Sequence, residues 1–78
     1  MKEVAVNYHP VFEQLSGFTV EIFKTEARTL ESFYRGLCQM HGFQLQTYEV
    51  DVLLDGMPAE WQKDLPEKSV LSIKPRQA

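Results

Sequence analysis

The sequence predicts one α+β domain over residues 1–78, a mixed sheet of four to five strands carrying a single packed helix. Three observations predict it. Apolar and polar residues alternate near both ends of the chain, as in half-buried strands. Between these stretches lies one stripe of helical periodicity. Turn residues punctuate the boundaries, and no internal repeat or low-complexity stretch interrupts them.

Lys2 to Tyr8 is the first strand, with Val4, Val6 and Tyr8 on one face. His9-Pro10 ends it, because proline cannot donate to a ladder and restrains the residue before it. Val11 to Leu15 reads as a short helical turn or an irregular loop, and Ser16-Gly17 turns the chain. Phe18 to Phe23 is the second strand, with Phe18, Val20 and Ile22 on one face and Phe23 on the other. Thr29 is the expected N-cap of the helix, and Glu31 suits the positive end of its dipole. Leu30, Phe33, Tyr34, Leu37, Cys38 and His41 then form the buried stripe. Gly42 is the expected left-handed C-terminal residue, with Phe43 folding back over Leu37 or Cys38. Gly36 interrupts the helix on its polar side, at about 1 kcal/mol relative to alanine.

Gln44 to Thr47 links the helix to a third strand, Tyr48 to Leu54, with Tyr48, Val50, Val52 and Leu54 facing inward. Asp55-Gly56 is a tight-turn signal, and Met57 to Glu60 returns as a short edge strand that tolerates Pro58. Trp61 to Lys68 is a loop anchored by Leu65, and Ser69 to Ile73 is the final strand. With one helix on one face, the first and last strands can pair in the middle of the sheet, which is the β-grasp (ubiquitin-like) arrangement.

Bulk properties exclude several roles. The net charge is −3, with no lysine or arginine cluster to grip nucleic acid. No apolar run approaches the roughly 20 residues of a membrane span. The chain has a single cysteine, Cys38, and its first residues lack a signal-peptide core, so a cytoplasmic location is expected. Cys38 and His41 share a helix face but are too few to hold a structural zinc, so no metal or other cofactor is expected. Asp51, Asp55, Glu60 and Asp64 read as a solvated rim rather than an acid–base pair, and the four glycines form no phosphate loop. The chain is read as a non-enzyme. Trp61 is expected to lid the core, with an exposed binding role as the sharper alternative.

Three segments resemble a known family. They are Val4-Ala5-Val6-Asn7-Tyr8 with Val11-Phe12-Glu13-Gln14-Leu15-Ser16-Gly17, then Thr29 to Leu37, then Val52-Leu53-Leu54-Asp55-Gly56-Met57-Pro58 with Leu65 to Ile73. In order and spacing they resemble the ubiquitin-like sulfur carriers, the small subunit of molybdopterin synthase and the sulfur carrier of thiazole biosynthesis. The resemblance implies a β-grasp fold and a protein partner of the adenylating-enzyme or synthase-large-subunit kind. The family's Gly-Gly terminus, which carries the thiocarboxylate, has no counterpart in Pro75-Arg76-Gln77-Ala78. The expectation is therefore a protein that acts by docking and, in this form, does not form a thiocarboxylate. The alternative is a carrier for molybdopterin or thiamine biosynthesis with an altered or truncated tail.

Alternation places Leu53 opposite Val52 and Leu54, and Phe23 opposite Ile22, so both leave the core face. The expected docking surface is the outer sheet face near Phe23, Leu53 and Met57, joined by a tail carrying Lys74, Arg76 and Ala78.

Overall fold

A computed structural model describes residues 1–76. Strand β1 (Lys2–Tyr8) leads into helix α1 (Pro10–Ser16) and strand β2 (Val20–Thr25). Helix α2 (Leu30–His41) follows, then a 3₁₀ turn (Thr47–Glu49), strands β3 (Val50–Leu54) and β4 (Met57–Ala59), and strand β5 (Lys68–Pro75). The sheet has five strands in the order β2-β1-β5-β3-β4. β1 and β5 run parallel at its centre, and every other neighbour is antiparallel. This is the mixed β-grasp sheet that the alternating segments predict, with α2 across one face.

The residues explain the elements. Thr29 caps α2 by accepting from the Ser32 amide at 3.1 Å. Gly42, at φ 73°, ends it in the left-handed region, its amide donating to the Cys38 carbonyl. Leu30, Phe33, Tyr34 and Leu37 bury the helix stripe against Val4, Val6, Val52, Leu71 and Ile73 of the strands. The segment left open as turn or loop is α1. His9 caps it through Nδ1, Pro10 stands at its start, and it plugs Phe12 fully into the core. Phe43 returns over the helix end and meets Phe12 edge-on at 4.9 Å. Asp55 and Gly56 both take positive φ, 51° and 86°, as the tightest β-hairpin turn requires. Leu65 is buried, as expected of the loop's anchor. Gly36 lies in a regular helix, and a Cβ there would meet nothing within 4 Å, so contacts within the chain do not explain it.

Two strand assignments are corrected. β2 spans Val20–Thr25, and its facing is the reverse of the alternation reading. Phe23 pairs with Val4 on the helix side and meets Phe33 edge-on at 5.6 Å, whereas Ile22 is 70% exposed on the outer side. The cause is polar. Glu21 also points to the helix side, where its carboxylate accepts the Tyr8 hydroxyl at 2.8 Å and meets His41 Nε2 at 2.9 Å. An inward carboxylate with two partners offsets its desolvation, and it carries Phe23 inward with it. The second correction is Tyr48. It sits in the 3₁₀ turn and is exposed, because β3 begins only at Val50.

Candidate functional site

The register sorts the outer face of the sheet, the one α2 does not cover. Ile22, Ala5 and Val70 form one row across β2, β1 and β5. Val20, Asn7, Ser72, Leu53 and Pro58 form the next. Lys74 lies beside Asp51 in the third. Val20 and Val70 are 48% and 41% exposed, so this face presents branched aliphatic side chains to solvent. Glu3, Lys68 and Asp55 rim a shallow depression of about 410 Å³ around Ala5, Ile22 and Val70.

A second cleft, of about 300 Å³, opens at the β3 end. Leu53 and Pro58 supply its apolar lining, Trp61 one wall, and Lys74 and Arg76 its cations. Arg76 is set by its backbone, whose amide donates to the Glu49 carbonyl at 2.8 Å, and its Nε donates to Asp51 Oδ1 at 3.2 Å. Both side chains of that pair are substantially exposed, so it orients the guanidinium more than it stabilises the fold.

Trp61 is primarily a lid. Its Nε1 donates to the carbonyls of Thr47 and Val50 at 2.9 and 3.2 Å, and its ring lies 5.0 Å from that of Tyr34. Tyr34 donates its hydroxyl to the Leu45 carbonyl at 2.7 Å. Burial raises the phenols of both Tyr34 and Tyr8, and in Tyr8 the carboxylate of Glu21 adds to it. Burial also raises the Cys38 thiol, the reverse of what an activated nucleophile needs. No group of three or more His, Cys, Asp or Glu side chains among the described residues is placed to hold a metal.

Of the expected docking residues, the structure brings together Leu53, Lys74 and Arg76. It separates Phe23, which lies at the β2 edge on the helix side. Met57 is 69% exposed but pairs with Leu54, and so belongs to the helix side of the β4 edge rather than the outer face. Ala78 lies outside the described residues. The sequence reading missed Ile22 and Val70 as outward residues, whereas Ala5 lies on the face opposite Val4 and Val6, as alternation has it. The signal available for Val70 was its alternation with Leu71 and Ile73, which follow it as inward residues; for Ile22 it was the need of Glu21 for a partner.

No family model matches the sequence, and the curated proteins contain no match. Solved structures do match. The fold they share is the ubiquitin-like β-grasp, over essentially the whole chain. A Pyrococcus furiosus protein named as a candidate molybdopterin converting factor, subunit 1, superposes with a TM-score of 0.80 at 19% identity, covering 96% of this chain and 98% of its own. The small archaeal modifier protein 1 of Haloferax volcanii gives 0.78 at 11% identity, covering 94% and 95%. The solution structure of the Haloferax volcanii HVO 2177 protein gives 0.77 at 16%, covering 99% and 85%. No helix among the described residues is long and apolar enough to cross a membrane.

Proposed function

We propose that this protein is a non-enzymatic ubiquitin-like protein of the sulfur-carrier type that works by docking to a protein partner in the cytoplasm. The observation that carries this reading is the uncovered outer face. Ile22, Val20 and Val70 stand exposed there, and Leu53, Lys74 and Arg76 border it at one end. The apolar rows offer area for burial, and the two cations steer a partner carrying carboxylates. The partner class is an adenylating enzyme or the large subunit of a synthase, as the resemblance of the sequence to the sulfur carriers implies.

Binding to a purified adenylating enzyme or large synthase subunit, followed by calorimetry, tests the reading. Leu53→Asp and Val70→Asp are expected to weaken association at least about tenfold while shifting the thermal midpoint by only a few degrees. Affinities unchanged by both substitutions would overturn the docking face. Residues 75–78 read Pro-Arg-Gln-Ala, and we propose that in this form they are not converted to a thiocarboxylate. Intact-mass spectrometry after incubation with ATP and an adenylating enzyme is expected to show no exchange of oxygen for sulfur. The alternative, a carrier whose tail continues to Gly-Gly, is favoured by the likeness to the converting factor and would be supported by that exchange in an extended chain.

A further inference from the structure

The two edges of the sheet are β2 and β4. The Tyr8 amide donates to the Thr19 carbonyl at 2.9 Å, and the same antiparallel register continues from Asn7–Val20 to Lys2–Thr25. Bonded and non-bonded pairs alternate along such a ladder. Glu21, Phe23 and Thr25 therefore direct their backbone groups to β1, and Val20, Ile22 and Lys24 direct theirs away from the sheet. Nothing among the described residues pairs with that side of β2. The same three residues carry side chains on the outer face, so the open backbone edge and the exposed aliphatic face meet at Val20 and Ile22.

We propose that β2 pairs with β2 of a second copy of this chain, antiparallel about a two-fold axis through Ile22, to give one continuous sheet. The strand is self-complementary in one register. Placing Ile22 opposite the partner's Ile22 sets Val20 opposite the partner's Lys24, so all three outward residues of each copy find partners. Each exchanges an N–H and a C=O, which makes about six hydrogen bonds. Sliding the pair by two residues in either direction forfeits about two of them, and a register centred on Lys24 sets two ammonium groups against each other. In the favoured register Glu21 lies opposite the partner's Phe23, no like charges oppose, and the rows of Val70, Ala5 and Ile22 run on across the axis. A six-residue edge with large exposed aliphatics is a recognised template for strand pairing, and the matched register makes a copy of itself its occupant. This pairing leaves the outer face open and is independent of the docking reading.

The test is hydrogen exchange by NMR together with sedimentation, from micromolar to millimolar protein. A dimer is expected, with the amides of Val20, Ile22 and Lys24 gaining protection as concentration rises. Ile22→Pro removes an outward N–H that β1 does not use, and it is expected to weaken the dimer at least about tenfold. Ile22→Lys, which sets two ammonium groups on the axis, is expected to do the same without touching the backbone. Val70→Asp and Leu53→Asp should leave the dimer intact. A monomer at every concentration, or exchange at those three amides that never slows, would overturn the proposal. So would a dimer that survives both Ile22 substitutions but is lost in Val70→Asp, which would mean face-to-face association.

Discussion

The edges of this sheet are built in opposite ways. β4 is three residues long and closes the two-residue Asp55-Gly56 turn, so Leu54–Met57 and Val52–Ala59 exchange the bonds and Pro58 faces outward. Proline has no N–H, so the outward donor of that edge is missing. β2 is twice as long at six residues, has no proline, and shows solvent its aliphatic side chains as well as its amides. Natural sheets blunt their edges with short strands, proline and charge. The β4 edge carries the first two of these devices, shortness and proline. The other has only Lys24 on its outer face, since Glu21 is turned inward and held by Tyr8 and His41. The asymmetry identifies β2 as the edge kept available for pairing.

The largest expected effect separates the two sides of β2 itself. Phe23→Pro removes a bond to β1 and the ring that packs on Phe33, and should destabilise by at least about 3 kcal/mol in urea unfolding. Ile22→Pro should change the monomer by no more than about 1 kcal/mol. Equal losses would mean that the two sides of the strand are not distinct. High pH comes next. A buried tyrosine helps hold each side of the sheet, Tyr8 by Glu21 on β2 and Tyr34 beneath Trp61 after β4. Both phenols are raised above their ordinary value in the fold, so the unfolded chain releases these protons first. Stability should fall as pH rises through about 10, and tyrosinate absorbance at these two residues should appear together with loss of helix signal. A smaller effect is expected of Tyr8→Phe, about 1 kcal/mol, because Glu21 keeps His41. Hydrogen exchange should then quicken along β2 and leave β3 and β4 unchanged. The smallest is Pro58→Val, within about 0.5 kcal/mol in stability. If proline is what silences the β4 edge, this variant should associate more readily at high concentration than the parent.

Much of the fold was legible because local chemistry and burial agreed. Thr29, the stripe from Leu30 to Leu37, Gly42 and Asp55-Gly56 each predict their own structure, and all were found in place. The order of hairpin, helix and later strands then leads to the parallel pairing of β1 with β5. The facing of β2 was not legible, because Val20-Glu21-Ile22-Phe23 offers a good apolar residue to either side. A contact with Tyr8 and His41, distant in sequence, decides it. Of the candidate site, alternation correctly turned Leu53 outward and placed Lys74 and Arg76 near it. Met57 and Phe23 were misplaced because face depends on register, which a strand read alone does not contain.

The pairing of β1 with β5 also bears on when the molecule can exist. Val4 and Val6 lie beside Ser69 and Leu71, and β2 and β3 flank this central pair. A nascent chain that has emerged only as far as β4 has both outer layers of the sheet and nothing to join them. Helix α2 can form early, but its apolar stripe has no complete floor until β5 arrives. Folding is therefore deferred to the end of synthesis of this domain, and contacts so distant in sequence make it slow. During that interval the aliphatic strands are exposed together, and removal of β5 by truncation or proteolysis should return the whole domain to that state.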